Sequence, residues 1–237
     1  MKILALDSSS KSASAALIKD GKLICESFVN AGLTHSRTLM QMVNDCLKIS
    51  DTEPSQIEGF ALTNGPGSFT GLRIAVSAVK GMAAVNSTPC VTVSTLLSLA
   101  YNLRGCDGYA LALLDARCSQ FYYAIFRVCG DKIERICEDL AGNSDDIFQK
   151  LDGIDKTIYT IGDGAELFCK SNADRIENKN FVLCNDRLRF VNGYSTALAA
   201  EEIFTSGKAI SADEIKIEYL RLPQAERELK KKKGEEV

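Results

Sequence analysis

The sequence predicts an α/β protein of two lobes that repeat one order of elements: three strands, a helix, a strand, a helix, a strand and a helix (βββαβαβα). Each half opens with an apolar strand that ends in aspartate, at Asp7 and at Asp115. In each half a glycine-containing turn joins the second strand to the third, at Asp20-Gly21 and at Gly130-Asp131. Helices and strands then alternate in the same order, which indicates an internal duplication.

The elements of the first half follow from hydrophobic periodicity and from the turn residues between them. Asp20-Gly21 is typical of a two-residue hairpin turn. The predicted strands are Lys2 to Asp7, Ser12 to Lys19, Lys22 to Val29, Ile57 to Thr63 and Cys90 to Val93, and the predicted helices are Thr34 to Ile49, the helix after Asn64-Gly65-Pro66-Gly67, and Ser94 to about Asn102.

The second half gives a matching set. Its predicted strands are Gly108 to Asp115, Gln120 to Val128, Lys132 to Glu138, Lys156 to Ile161 and Phe181 to Leu183, and its predicted helices are Asn143 to Leu151, Asp163 to about Ser171 and Gly193 to Ser206. A hairpin sheet extended by strand-helix crossovers becomes a mixed five-stranded sheet with helices on both faces. Two such ribonuclease-H-like lobes form the architecture of the actin, sugar-kinase and heat-shock-chaperone (ASKHA) superfamily. We place the N-terminal lobe at residues 1–103, the C-terminal lobe at 104–220 and a charged tail at 221–237.

Composition excludes several classes of protein. The chain has 237 residues, 46% apolar and 25% charged, with a net charge of −3, so the whole surface has no general attraction for nucleic acid. The strongly basic run Lys230 to Lys233 is typical of a solvated helix end or tail. No apolar stretch is long enough to cross a bilayer and the first residues form a strand, so we expect a cytoplasmic protein with no membrane contact.

Cysteine and histidine usage narrows the chemistry. Nine cysteines without a CxxC pair, most of them in apolar segments, indicate small core residues and not disulfides or zinc ligands. The single histidine, His35, has no evident partners for a metal site or for a Ser-His-Asp set. Its place at a helix start favours a capping or surface role.

The most specific stretch runs from Asn64 to Ala83, where a strand meets a glycine-rich elbow and a long helix. Ser68 or Thr70 can cap this helix, and its first free N–H groups could hold an anion or simply end a structural turn. The order of residues differs from a P-loop and Lys80 lies far down the helix, so we favour the structural turn. Two helix faces need cover, and the residues favour a core position over a partner contact: Gly71, Ala75, Ala78 and Met82 form a smooth face, and Leu72, Val76, Val79 and Ala83 a bulkier one.

The two strand-ending aspartates stand where this superfamily grips phosphate through a D-x-G-[ST] turn. The sequences here are Asp7-Ser8-Ser9-Ser10 and Asp115-Ala116-Arg117-Cys118, and neither has the glycine that lets backbone N–H groups approach a phosphate. We therefore interpret Asp7, Ser8, Ser9 and Ser10 as a degenerate phosphate loop, and expect no tightly bound cofactor, no metal and at most weak nucleotide binding. The alternative is an ATP-binding small-molecule kinase or ATPase of the same superfamily.

Five stretches, in order along the chain, closely resemble the TsaB (YeaZ) family of bacterial tRNA threonylcarbamoyladenosine biosynthesis proteins. They are ILALDSSSKSASAAL, THSRTLMQMV, NGPGSFTGLRIAVSAVKGMA, LLDARCSQFYYAIF and EYLRLPQA. The third is highly specific and the others are weaker individually. The turn Arg117-Cys118-Ser119-Gln120 departs from the glycine-bearing turn of the family, which puts a ligand role for that turn in doubt.

The resemblance implies a noncatalytic subunit that binds the catalytic protein TsaD, with TsaE joining. TsaD can then transfer threonylcarbamoyl to the adenosine beside the tRNA anticodon. Such a subunit meets tRNA only through the complex and forms a homodimer when TsaD is absent. TsaD holds its metal with a pair of histidines on a helix, and this chain has one histidine in total.

The resemblance also implies that two helices pack against TsaD or a second copy. Carried over residue by residue, the interface comprises Leu39, Met40, Val43 and Leu47 on the first helix and Leu72, Ala75, Val76 and Val79 on the second. Only the exposed members of this set can contact a partner, and the sequence leaves open which they are. A different class of function, an RNA-binding module, would use Lys230 to Lys233 together with Arg221 and Arg227.

Overall fold

The computed structural model describes residues 1–177 and 180–221, which build two β-sheets flanked by helices. The first sheet has the strand order β3-β2-β1-β4-β5. Its strands are β1 (Lys2–Asp7), β2 (Ala13–Lys19), β3 (Lys22–Val29), β4 (Gly59–Gly65) and β5 (Cys90–Ser94), and the helices of this half are α1 (His35–Ile49), α2 (Phe69–Asn86) and α3 (Thr95–Tyr101).

The second sheet has the order β11-β10-β6-β7-β8, with β9 also paired to β7. Its strands are β6 (Cys106–Arg117), β7 (Gln120–Gly130), β8 (Lys132–Arg135), β9 (Leu140–Gly142), β10 (Ile158–Ile161) and β11 (Phe181–Leu183). Its half contributes α4 (Ser144–Lys150), α5 (Ala165–Ser171), α6 (Ala173–Ile176), α7 (Asp186–Arg189) and α8 (Gly193–Thr205), and 3-10 turns lie at Pro54–Gln56 and Ala212–Glu214.

The duplicated α/β architecture is confirmed, because both sheets have the same pairing pattern. In the first half β1 is antiparallel to β2 and parallel to β4, and β4 is parallel to β5. In the second half β6 is antiparallel to β7 and parallel to β10, and β10 is parallel to β11. The predicted hairpin at Asp20-Gly21 is also confirmed, with both residues at positive φ. The sequence missed β9, α6 and α7, which are three or four residues long and too short for periodicity to show.

Side chains of β1 alternate between two cores on opposite faces of the first sheet. Leu4 and Leu6 pack beneath α1 and α2, whereas Ile3 and Ala5 pack against α8. All four are fully buried, as expected for a central strand covered on both faces.

The last helix of each half covers the sheet of the other half. Leu96 and Leu99 of α3 pack in a cluster with strands of the second sheet, and Ala197 and Ala200 of α8 pack with strands of the first. A buried hydrogen bond of 2.7 Å between the Ser98 and Thr196 hydroxyls joins the two helices. The two sheets therefore share their cores, while the division at residue 103 stays a prediction. Of the predicted tail, residues 222–237 lie outside the described part.

The elbow brings the first turns of α2 into backbone contact with the loop between β1 and β2. Ser68 is the N-cap, and its hydroxyl accepts a hydrogen bond of 3.2 Å from the Gly71 N–H, which confirms the predicted cap. A Cβ at Gly71 would lie 1.9 Å from the Ser8 carbonyl oxygen, closer than any real contact. Glycine at this position therefore permits α2 to approach the loop.

We expect the two glycines of α2 to respond in opposite ways to the same substitution. Gly71→Ala should lower the free energy of unfolding by at least about 2 kcal/mol, because backbone atoms would have to move. Gly81→Ala should raise it by roughly 0.5–1 kcal/mol, since a Cβ there meets no atom within 4 Å. Urea unfolding of both variants measures the difference, and similar values for the two would contradict the contact.

Candidate functional site

The loop predicted to be a degenerate phosphate loop contacts α1 and α2 through three successive residues. The Ser8 hydroxyl donates to the Gly71 carbonyl oxygen over 2.8 Å. The Ser68 N–H donates to the Ser9 carbonyl oxygen over 2.7 Å. The His35 ring Nε2 lies 2.8 Å from the Ser10 carbonyl oxygen. This loop therefore directs its backbone oxygens at the chain's own helices, and His35 serves as a tie and not as the helix cap, which is Thr34.

Asp7 ends β1 with its carboxyl group fully buried. Oδ1 accepts hydrogen bonds from the Ser9 N–H at 3.1 Å, the Ser9 hydroxyl at 2.6 Å and the Thr63 hydroxyl at 2.5 Å. Oδ2 is buried without a hydrogen-bond partner among residues 1–177 and 180–221. Burial raises the pKa of Asp7 above its ordinary value, against the smaller lowering effect of Ser9 and Thr63. Asp7 thus satisfies local backbone and hydroxyl groups, and nucleotide binding stays a prediction.

A cavity of about 390 Å³ separates the loop from the second lobe. In the second lobe the Asp115 N–H donates to Asp163 Oδ1 over 3.1 Å, and Asp115 Oδ1 accepts from the Arg117 N–H over 2.8 Å. Burial raises the pKa of Asp163. Helix α5 begins just after Gly162-Asp163-Gly164, as predicted for a helix start. The wall is completed by polar, charged and aromatic residues from both lobes: Ser9, Ser10, Lys11, Ser68, Phe69, Tyr122 and residues 218–221.

The turn between β6 and β7 adopts the backbone conformation that usually calls for glycine. Arg117, Cys118 and Ser119 have φ values of 66°, 55° and 57°. Left-handed backbone is unfavourable for residues with a side chain, so neighbouring contacts must hold this turn in place.

Within the described ranges, no three His, Cys, Asp or Glu side chains come together as a metal site would require.

Five of the eight predicted interface residues belong to the core of the chain itself. The exposed fractions of Leu39, Val43, Leu72, Ala75 and Val79 are 2% or less. All of them except Leu72 belong to the cluster under α1 and α2. Because these five side chains have no free surface, they fall outside the exposed members to which a partner contact was limited. Met40 is 47% exposed and Leu47 and Val76 are half-buried, so a partner contact for these three stays a prediction.

Sequence reasoning missed the face of α2 that points to solvent. Ser77, Gly81 and Ala84 are exposed there, and Met40 and Asn44 are exposed on the neighbouring α1. The spacing of Ser77, Gly81 and Ala84, at i, i+4 and i+7, was the available signal.

None of the helices that the structure describes has the length and apolar character needed to cross a bilayer.

We expect the buried Asp7 carboxylate to destabilise the fold at neutral pH. Its raised pKa means that the folded state favours the protonated form. The stability that protonated Asp7 allows is therefore fully present below the unfolded pKa near 3.8. That stability is lost as pH rises through the folded pKa of Asp7. Asp7→Asn should become more stable relative to the wild type as pH rises through this window, by about 1.4 kcal/mol for each unit that the pKa is raised. Urea unfolding of both proteins from pH 4 to pH 8 measures the difference, and parallel curves would contradict it.

Comparison with known proteins agrees with this geometry. The family model described as "TsaD: tRNA N6-adenosine threonylcarbamoyltransferase" matches residues 29–210. Two curated relatives carry the name "tRNA threonylcarbamoyladenosine biosynthesis protein TsaB". The protein from Bacillus subtilis (strain 168) is 29% identical over 182 residues, 77% of this chain and 80% of the relative. The protein from Escherichia coli (strain K12) is 26% identical over 229 residues, 93% of this chain and 95% of the relative.

The solved structure "YeaZ from Pseudomonas aeruginosa" superposes with a TM-score of 0.78 at 23% identity, over 92% of this chain and 99% of that one. It has the same fold, which is the duplicated ASKHA architecture that the two sheets show. Because the family model covers most of the chain and the two curated relatives align over 77% and 93% of it, the chain belongs to the TsaB (YeaZ) family, within the wider family that the TsaD model describes.

Proposed function

We propose that this chain is a noncatalytic partner subunit in tRNA threonylcarbamoyladenosine biosynthesis. It binds TsaD, with TsaE joining, and thereby enables TsaD to transfer threonylcarbamoyl to the adenosine beside the anticodon. The names of the TsaB relatives support the pathway. The exposed surfaces of α1 and α2 support the partner role. The chain meets tRNA only through the complex.

The single observation that carries the proposal is Gly81. It lies in the interior of an 18-residue helix, is exposed, and has open space where a Cβ would stand. Glycine at such a position costs about 1 kcal/mol relative to alanine, and no contact within the described chain requires it. A partner helix that packs closely over this surface does require a small residue.

The neighbours of Gly81 complete a surface for helix packing. Ser77 and Ala84, one turn away on either side, are small and exposed, so the backbone of α2 is accessible over two turns. Met40 is an exposed apolar side chain on α1, the helix that packs beside α2. We name the exposed residues Met40, Ser77, Gly81 and Ala84 the partner face. In the absence of TsaD, a second copy of the chain occupies the same face.

The loop contacts support a noncatalytic role. Asp7 is bonded to Ser9 and Thr63, and the one imidazole, His35, is bonded to the Ser10 carbonyl. The groups that a superfamily member would turn toward a phosphate or a metal thus hold the elbow together. The residues of the RNA-binding alternative, Lys230 to Lys233 and Arg227, lie outside the described part of the chain. A cytoplasmic location stays a prediction.

Gly81→Leu should weaken association with TsaD at least tenfold, because a large side chain would separate the two helices. The variant should fold, since the substituted position is open to solvent. Titration calorimetry or co-purification with TsaD measures the effect. Ala173→Leu adds the same side chain at an exposed position of α6 in the second lobe and should bind as the wild type does. Wild-type affinity of Gly81→Leu would contradict the partner face.

The function itself is tested by reconstitution. Purified TsaD and TsaE, with ATP and threonylcarbamoyl donor, should modify tRNA when this chain is added and not without it. Replacing the chain by Gly81→Leu should reduce the initial rate at limiting concentration and restore it at high concentration. Full modification by TsaD and TsaE without the chain would overturn the proposal.

A further inference from the structure

The last six described residues, 216–221, cross from the first lobe to the second at the mouth of the interlobe cavity. Just before them, Ile215 is buried in the core under α1 and α2, so this segment starts from a fixed point. Residues 218–221 then form part of the cavity wall opposite Ser9 and Ser10. We name residues 216–221 the strap.

The elbow makes close backbone contacts with the strap. The Glu218 N–H donates to the Asn64 carbonyl oxygen over 2.8 Å, and the Asn64 side-chain amide donates to the Lys216 carbonyl oxygen over 3.3 Å. Gly65 has φ +129°, and a Cβ at this position would lie 2.2 Å from the Glu218 carbonyl oxygen. The glycine of the elbow and the strap backbone are therefore in direct contact, and no other residue type fits between them.

Tyr219, the next residue of the strap, contacts the start of α2. The Tyr219 ring stacks on Phe69 with centroids 5.0 Å apart. The Arg73 guanidinium lies 3.8 Å from the Phe69 ring centroid, and Arg73 Nε donates to the Tyr219 hydroxyl over 3.3 Å. Three side chains, one from the strap and two from α2, thus form a stacked group at the rim of the cavity.

At its far end the strap reaches the second lobe. Arg221 Nη1 donates to the Ala116 carbonyl oxygen over 3.0 Å. Ala116 immediately precedes Arg117, Cys118 and Ser119, the run of left-handed backbone in the β6–β7 turn. A charge-assisted bond at this position is well placed to hold the turn in its unfavourable conformation.

We propose that the strap is an interlobe latch that couples the first turn of α2 to the β6–β7 turn and fixes the opening of the cavity between them. The contact of Tyr219 with α2 and the contact of Arg221 with Ala116 act together, because only Leu220 separates Tyr219 from Arg221. Loss of either contact therefore weakens the other. The latch does not depend on TsaD binding.

Hydrogen exchange of the full-length chain, read by mass spectrometry, tests the coupling. Tyr219→Ala removes a contact of the first lobe, yet it should raise exchange at residues 116–120 of the second lobe by about threefold or more. Arg221→Ala removes a contact of the second lobe and should raise exchange at residues 69–73 of α2. Phe28→Ala, which also removes a partly exposed aromatic ring, is the control and should leave both segments unchanged.

The outcome that overturns the latch is exchange that rises only at each variant's own contact, or not at all. Should Tyr219→Ala fail to fold, Tyr219→Phe takes its place, since it loses only the bond to Arg73; increased exchange at residues 116–120 supports the latch and unchanged exchange there overturns it. Small-angle scattering provides a second measurement. Arg221→Ala should increase the radius of gyration relative to Phe28→Ala, and identical values would count against a fixed opening.

Discussion

The close contact between the backbone of residues 8–10 and the start of α2 is the constraint on which the rest of the structure depends. It requires glycine at position 71, because the Ser8 carbonyl oxygen occupies the space of a side chain. It also fixes the rotation of α2 about its axis. With Gly71 directed at the loop, Leu72, Ala75 and Val79 enter the core, and the opposite side, with Gly81, is left to solvent. The partner face follows from where the loop lies.

A buried aspartate, Asp7, supports the same contact. Asp7 holds Ser9 and Thr63, and so joins the loop to the end of β4 just before the elbow. Oδ2 has no hydrogen-bond partner among the described residues, and burial raises the pKa of Asp7, so this arrangement carries an electrostatic cost. The hydrogen bonds that Oδ1 accepts come from Ser9 and Thr63 of the chain itself.

The sequence was sufficient to predict the duplicated fold, because strand alternation, the Asp20-Gly21 turn and the repeated element order are local signals. It was insufficient for the interface. In a helix that is apolar on two sides, periodicity shows that both faces need cover but not which cover is the chain's own. Gly71 and Gly81 illustrate the limit, because they are ten residues apart in one helix. Gly71 packs against Ser8, 63 residues earlier in the chain, whereas the Cβ position of Gly81 is open. The strap was also missed, since EYLRLPQA has no periodicity to place it.

The positions of the strap and of the partner face on α2 imply that the two act independently. Phe69, where the strap is held, and Gly81, the centre of the partner face, are twelve residues apart, or about 18 Å along the helix. No described contact of Tyr219 or Arg221 reaches Gly81, whose surroundings are open. Substitutions at sites this far apart without shared contacts combine additively. A double variant of Tyr219 and Gly81 should therefore lose TsaD affinity only as much as the Gly81 variant does. A larger loss would mean that the latch sets the orientation of the whole helix.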